Sequence, residues 1–128
     1  MSKNDNKITF QQGIDWTTNW RNGRGNRNVD AFLIPAEDLV AALIEIGVLP
    51  NGTYATDDKN IRAYLGVDDK NTDRLVIVGT KKDTSVTPAV YRDMITDDQT
   101  GRKWEGGGSL YDFTEPCPTA CDVNSPLN

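Results

Sequence analysis

Residues 75–78 constrain the fold of this 128-residue chain more than any other segment. They read Leu-Val-Ile-Val, an uninterrupted apolar run in which three residues are β-branched. Such a run is typical of a strand buried on both faces, because successive side chains of a strand point to opposite sides of its sheet. We therefore expect this segment in the middle of a small sheet, with cover needed on both faces.

Two other segments have helical periodicity, and four have the pattern of strands. Apolar spacing predicts one helix over 10–21, after a capping box formed by Thr9 and Gln12, and a second over 35–46 with Pro35 at the first helical position. Strands are predicted over 29–34, 61–67, 89–95 and 109–113. This order predicts an α+β fold with a small, mainly antiparallel sheet, two helices packed on one face and an irregular C-terminal arm.

The chain length fits a single domain. We expect a flexible tail over 1–8, an α+β domain over 9–114 and an arm containing Pro and Cys over 115–128. The second face of the central strand, through Val76 and Val78, then needs a cover. Either the arm or a second copy of the protein can supply it.

Composition excludes several classes of function. The chain has no His, which removes Ser-His-Asp and Cys-His catalysis and His-ligated zinc. No cofactor loop or nucleophile with a visible base is present, so we expect a non-enzymatic protein that needs no cofactor, and no small-molecule substrate can be identified.

The N-terminal residues lack the apolar core of a secretory signal, and no apolar stretch is long enough for a membrane span. We therefore expect a cytoplasmic protein with no membrane partner.

Several short motifs resemble those of a group of small uncharacterised bacterial proteins. They are A-F-L-I-P at 31–35, R-A-Y-L-G at 62–66, L-V-I-V-G at 75–79, D-M at 93–94, Y-D-F at 111–113 and P-C-P at 116–118, followed by Cys121. The resemblance implies an architecture but no established activity, so it transfers no catalytic residue.

Cys117 and Cys121 are the first candidates for chemistry. They are separated by three residues, whereas thioredoxin-like redox sites have two. A zinc site needs four ligands, which two copies of the chain could assemble from four thiolates. We favour a simpler interpretation, in which two thiols or a small local disulfide hold the proline-rich arm. A thiol or metal module that uses Cys117 and Cys121 is the alternative.

A second alternative is weak binding of single-stranded nucleic acid. It would use the aromatic and basic residues of one segment, namely Trp16, Trp20, Arg21, Arg24 and Arg27. Stacking plus phosphate contact is how proteins hold single strands. However, the chain carries 14 Lys+Arg against 19 Asp+Glu, and this net charge of −5 repels phosphate backbones. We therefore expect the Trp residues to pack the first helix onto the sheet.

The remaining hypothesis is a protein-interaction or self-association module of unknown biological role. Its partner would be another protein or a second copy of the chain. A strand apolar on both faces and aromatic residues are suited to an interface. The candidate contact residues are Tyr64, Val76, Val78, Tyr91 and Trp104.

Overall fold

The computed structural model describes residues 6–118 and 120–127. It contains two helices and a mainly antiparallel sheet, which confirms the α+β class. The helices are α1 (Phe10–Gly23) and α2 (Ala36–Glu45). The strands are β1 (Lys7–Ile8), β2 (Ala31–Pro35), β3 (Asn60–Val67), β4 (Asp73–Asp83), β5 (Val90–Asp93), β6 (Ile95–Thr96), β7 (Lys103–Trp104) and β8 (Leu110–Tyr111).

The central strand is β4, as residues 75–78 predict. The main sheet has the order β1-β8-β4-β3-β2, and β5 pairs with the end of β4. Strands β6 and β7 form a separate antiparallel pair. Val76, Ile77 and Val78 are 2%, 7% and 0% exposed, so this stretch of β4 is buried on both of its faces.

Strand register divides the sheet into two faces. Residues paired directly across antiparallel strands share a face. Tyr64 pairs with Val76, on the face where Val76, Val78 and Leu110 form the core beneath Trp16 of α1. We call this the α1 face. Ala63 pairs with Ile77 on the other side of the sheet, which we call the outer face.

Helix α1 begins at the predicted capping box. The Gln12 backbone N–H donates to the Thr9 hydroxyl at 3.0 Å, and the Thr9 backbone N–H donates to the Gln12 side chain at 2.8 Å. The helix then packs against β3 and β4 and continues to Gly23, two residues beyond the predicted end. Near its C-terminal end, the Asn19 side-chain amide donates to the Val67 carbonyl at 2.9 Å. This bond links the last turns of α1 to the end of β3.

Helix α2 follows β2 directly and packs against it. Pro35 is the residue before the helix rather than its first residue, since it retains extended backbone angles. The helix ends before Gly47, whose φ of +82° suits glycine at a helix terminus. All ten residues of α2 remain at least partly exposed. Its apolar side chains therefore gain only part of the burial that normally stabilises such a helix.

The N-terminal end of the domain differs from the sequence prediction, whereas the C-terminal arm agrees with it. Residues 7 and 8, expected in a flexible tail, pair with β8, and the Asp112 backbone N–H donates to the Asn6 carbonyl at 2.8 Å. The strand forms because β8 offers unpaired backbone groups on that side. The tail prediction for residues 1–5 lies outside the described residues. Residues 115–118 and 120–127 form neither helix nor strand, as expected for the arm.

Candidate functional site

Val76 and Val78 are not available to a partner. Both were candidate contact residues, and both are buried in the core beneath α1. This prediction is therefore wrong for these two residues. The reason is that α1 covers the face of β4 to which they point, while Ile77 points to the outer face.

Tyr64 and Tyr91 belong to a polar cluster with Arg62 and Asp93. The Arg62 guanidinium donates to Asp93 Oδ1 at 2.5 Å and to the Tyr91 carbonyl at 3.0 Å. The Tyr64 hydroxyl donates to Asp93 Oδ2. Both carboxylate oxygens therefore have a partner, and the cluster ties β5 to β3 across the intervening strand.

The cluster changes the ionisation of Tyr64. Burial and the hydrogen bond to Asp93 together raise the pKa of the Tyr64 hydroxyl to about 12. The phenol is therefore neutral at physiological pH. Its O–H donates a hydrogen bond to the Asp93 carboxylate, which is already ion-paired with Arg62. A general base would need an oxygen free to accept a substrate proton. The cluster is consequently better suited to fastening strands than to proton transfer.

A cavity of about 220 Å³ lies between α1 and the sheet beside this cluster. Its walls include Phe10, Ile14 and Ile95, and Tyr64 and Asp93 contribute polar atoms to it. Cavities that bind ordinary small-molecule ligands measure about 300–1,000 Å³. The space is therefore closer to an imperfectly filled core than to a substrate pocket.

Trp104 lies near the rim of the same region. Its ring stacks on Phe10 with centroids 5.4 Å apart, and the Arg102 guanidinium lies 4.5 Å from the Trp104 ring centroid. The indole thus has two neighbours in the chain, although the side chain is only partly buried. Trp104 holds the β6–β7 pair against the start of α1.

A second polar cluster, at the turn between β3 and β4, is not predicted by the sequence pattern. Buried Asp68 accepts backbone N–H groups from Lys70 and Thr72 and the Arg74 guanidinium, each at 2.9 Å. Burial opposes ionisation of Asp68, but these three donors outweigh it and lower its pKa. The alternation of Asp, Asn and Thr indicates a turn here, but nothing local indicates that Arg74 closes onto Asp68.

Asp112 lies beside this second cluster with fewer partners. Its Oδ2 is 3.5 Å from Arg74 Nη1, while its buried Oδ1 has no hydrogen-bond partner among the described residues. Burial raises the pKa of Asp112, and the charge of Asp68 adds to the effect. Asp68 and Asp112 therefore share one arginine but have opposite pKa shifts.

A cavity of about 790 Å³ forms an open polar depression near the C-terminal end of α1. Arg24 and Arg27 line it together with Asp69 and Asp73. Charges of both signs within one depression favour no single class of charged ligand. The Arg24 guanidinium is already engaged, with its Nε 3.0 Å from Asp30 Oδ1.

The proposed nucleic-acid segment is largely used for packing. Trp16 packs against the core cluster, and the Trp20 indole N–H donates to the Val29 carbonyl at 3.2 Å. Trp16 therefore packs the first helix onto the sheet as expected, whereas Trp20 bonds to the segment before β2. Arg21 remains exposed and donates to the Thr18 hydroxyl at 3.0 Å.

Cys117 and Cys121 form a disulfide, with their Cα atoms 4.8 Å apart. A local bridge was one of the two forms of the favoured interpretation. In this state neither sulfur is a thiolate, which is the form that binds zinc or attacks a disulfide. Within residues 6–118 and 120–127, no three or more Cys, Asp or Glu side chains are grouped so that they could hold a metal ion.

Within the folded domain, exposed apolar side chains lie on β2 and just after α2, while the most exposed ones of the described chain, Val123 and Leu127, lie in the arm. Phe32 and Leu33 of β2 are 56% and 41% exposed, and Ile46 and Val48, just after α2, are 71% and 62% exposed. We call Phe32, Leu33, Ile46 and Val48 the apolar edge. Sequence reasoning missed it because the helical stripe of α2 predicts burial, and the periodicity of a helix does not reveal how fully its partner layer covers it.

The outer face of the sheet is apolar next to this edge. Ile61, Ala63, Leu65 and Val67 alternate on that side of β3, and Phe32 pairs with Ala63 there. Helix α1 lies on the other face. The apolar character of the outer face therefore extends to the exposed ring of Phe32.

Comparison with protein-family models, with curated proteins and with solved structures gives no match to the chain. The resemblance to small bacterial proteins therefore stays a prediction. Over the part of the chain that the structure describes, no helix is both long enough and apolar enough to cross a bilayer. A functional proposal therefore depends on the geometry of the described residues.

Proposed function

We propose that this protein is a non-enzymatic self-association module that buries its apolar edge against a second copy of the chain. The observation that carries the proposal is the exposure of apolar side chains on β2 and beside α2, in a domain whose other helix is packed on a buried core. Exposed apolar patches on soluble proteins mark interaction surfaces.

The energetics favour covering this edge. Burial of one large apolar side chain contributes about 1.5–3 kcal/mol relative to full exposure. Phe32, Ile46 and Val48 are each more than half exposed, so most of this free energy is not realised in the monomer. A partner that covers all three would recover several kcal/mol, before the cost of association is subtracted.

The charge distribution supports a second copy as the partner. The chain is acidic overall, with a net charge of −5, so two copies repel each other at most surfaces. Strand β2 has no charged residue, and the apolar edge as a whole is uncharged. It is therefore a surface on which two copies can meet without opposing like charges.

The polar clusters support a role without catalysis. Asp93 is ion-paired with Arg62, and Tyr64 keeps its proton to about pH 12. Asp68 is held by three donors. Each of these groups is engaged within the fold, and none is poised to exchange a proton with a substrate.

The proposal includes a cytoplasmic location. Thiols are kept reduced in that compartment, and the Cys117–Cys121 bridge would open there. Association through the apolar edge is therefore proposed to be independent of the disulfide. The bridge lies in the arm, whereas β2 and α2 belong to the folded domain.

Sedimentation equilibrium over a wide concentration range tests the proposal. We expect a reversible dimer for the wild type, and a higher dimer dissociation constant for Ile46→Ser combined with Val48→Ser. Val123→Ser is the matched control, because Val123 is 79% exposed but lies in the arm. A monomer at every concentration up to the millimolar range would refute the proposal.

A further inference from the structure

We infer that the second copy pairs antiparallel along the free edge of β2, with a two-fold axis at Leu33, so that two sheets join into one. This inference rests on the proposed self-association and specifies its geometry. The evidence is which backbone groups of β2 are hydrogen-bonded within the chain and which are not.

The hydrogen-bonding direction of β2 can be read from its flanks. The Leu65 backbone N–H donates to the Asp30 carbonyl and the Ala36 backbone N–H donates to the Lys59 carbonyl, both at 2.8 Å. Antiparallel strands alternate between residues that bond to the neighbour and residues that point away. Even-numbered residues of β2 therefore bond to β3, and the backbone groups of Ala31, Leu33 and Pro35 point outward.

The outward backbone groups of Ala31 and Leu33 have no partner within the described residues. Strand β2 is the last strand of the sheet order, and no turn or side-chain hydrogen bond reaches the backbone of Ala31 or Leu33. The backbone N–H and carbonyl groups of Ala31 and Leu33 are therefore left facing away from the sheet, whereas the Pro35 carbonyl accepts the first hydrogen bond of α2. Free groups of this kind form a template for pairing with another strand.

The two end strands of the order β1-β8-β4-β3-β2 differ in how their edges are protected. At the other edge, β1 has only two residues, one of which is Lys7. Short edge strands and edge lysines are common ways to prevent strand addition. Strand β2 has five residues, no charge, and a proline only at its last position. Of these two edges, only β2 lacks such protection.

A two-fold axis at Leu33 matches these groups to each other. Leu33 then lies opposite Leu33 of the partner subunit, and their N–H and carbonyl groups bond in both directions. Ala31 lies opposite Pro35 of the partner subunit, where the strand pairing ends because α2 begins at the next residue. Pro35 lacks an N–H and its carbonyl is used by α2, so the intermolecular hydrogen bonds of this register are the two between Leu33 and Leu33 of the partner subunit.

The same register covers Phe32 of the apolar edge. Phe32 lies opposite Ile34 of the partner subunit on the outer face, where cross-strand aromatic and β-branched pairs stabilise sheets. Phe32 is 56% exposed in the single chain, whereas Ile34 is already partly buried. Pairing therefore covers the most exposed ring of β2 without requiring any part of the core to rearrange.

Disulfide trapping tests the register directly. In a hydrogen-bonded antiparallel pair, opposed Cα atoms are about 5.5 Å apart, which lies within the range that a disulfide spans. The Leu33→Cys variant should therefore cross-link to a covalent dimer under mild oxidation. Mass spectrometry of the non-reduced peptides should show a disulfide that joins position 33 of one protomer to position 33 of the other, with the Cys117–Cys121 bridge intact.

Phe32→Cys is the matched control. In this register the two substituted positions are offset by two residues, which places their Cα atoms about 8 Å apart, beyond disulfide reach. We therefore expect little cross-linking at position 32. Equal cross-linking at positions 32 and 33 would indicate random collision and would overturn the register.

A proline variant tests the hydrogen bonds. Leu33→Pro removes an N–H that points outward and leaves the bonds between β2 and β3 in place, since the Leu33 N–H is not used in the sheet. We expect the dimer dissociation constant to rise about tenfold or more, with circular dichroism and melting temperature close to those of the wild type. Leu33→Ala shortens the same side chain but keeps the N–H, and it should weaken the dimer less.

The outcomes separate this inference from the proposed function. If the wild type is monomeric throughout, both fail. If it forms a dimer that Ile46→Ser with Val48→Ser weakens, but Leu33→Cys does not cross-link and Leu33→Pro has no effect, self-association stands and the β2 pairing is refuted. Cross-linking at position 33 together with weakening by Leu33→Pro supports the pairing.

Discussion

Gly66 of β3 lies directly against Trp16 of α1. A Cβ atom placed on Gly66 would be 3.2 Å from Trp16 Cβ and 3.4 Å from the Trp16 backbone carbonyl. Helix α1 and the sheet can therefore come close together at this point because Gly66 has no side chain. We expect Gly66→Ala to destabilise the fold by about 1–3 kcal/mol, because the backbone of α1 must shift to admit the methyl group. Chemical denaturation measures the change.

Gly23 provides the matched control for that substitution. It lies at the end of α1, and a Cβ there has no neighbouring atom within 4 Å. Gly23→Ala should leave stability unchanged or raise it by up to about 1 kcal/mol, since alanine favours the helix. Equal destabilisation by the two substitutions would show that close packing is not the reason for glycine at position 66.

Asp68 and Asp112 should respond oppositely to removal of their charge. Asp68→Asn removes the ion pair with Arg74 and weakens the turn, and we expect a loss of about 1–3 kcal/mol at neutral pH. Asp112→Asn removes a buried charge whose Oδ1 has no partner in the described chain, so stability should be equal or higher. Thermal denaturation of both variants makes the comparison.

The pH dependence of these two variants gives a further check. The lowered pKa of Asp68 means that its contribution to stability is present above its ordinary value of 3.8 and is lost as pH falls through the folded value. The raised pKa of Asp112 means that its unfavourable charge is relieved as pH falls. Asp68→Asn should therefore flatten the acid side of the stability curve. A steeper acid side in this variant would contradict the assignment.

Tyr64 should ionise above the ordinary pKa of a tyrosine side chain. Its pKa of about 12 compares with the ordinary value of 10.0, so a late step should appear in an ultraviolet titration of phenolate. The step should disappear in Tyr64→Phe and move to lower pH in Asp93→Asn. The unfolded chain releases this proton first, so stability should fall between about pH 10 and pH 12. Retention of the late step in Tyr64→Phe would assign it to another residue.

The Cys117–Cys121 bridge should contribute little to association. It closes a loop with a sequence separation of four in an arm whose described residues form neither helix nor strand, so the core does not depend on it. We expect the Cys117→Ser, Cys121→Ser double variant to dimerise with a dissociation constant within about threefold of the wild type. Sedimentation of wild type and variant, with and without reductant, is the measurement. Loss of the dimer on reduction would tie association to the arm.

Local patterns were sufficient to predict most elements of the fold. The Thr9–Gln12 capping box predicted the start of α1, and the run at 75–78 predicted the central strand, because both signals depend on neighbours within a few residues. The contact between Arg62 and Asp93 joins residues 31 apart in sequence, and nothing local specifies it. The face of β4 that receives α1 was likewise beyond prediction, since Val76 and Ile77 are equally apolar.

The exposure of the apolar edge also could not be predicted from the local sequence pattern. The stripe of α2 correctly predicted a helix, but its incomplete burial depends on how much of β2 the helix covers. The two-residue strand β1 is too short to have a periodicity, and it forms only because β8 is beside it. Site-level features in this protein therefore arise from contacts between distant segments, which a single sequence does not encode in its local pattern.

The adjacency of β1 and β8 has a practical consequence for engineering. Asn6 and Asp112 are hydrogen-bonded to each other, so the chain enters and leaves the sheet at one margin, and β2 occupies the opposite one. A fluorophore attached at position 6 would be separated from Leu33 by the strands of the sheet. Circular permutants that join the two ends and open the chain in the loop between β4 and β5 would likewise preserve the margin formed by β2.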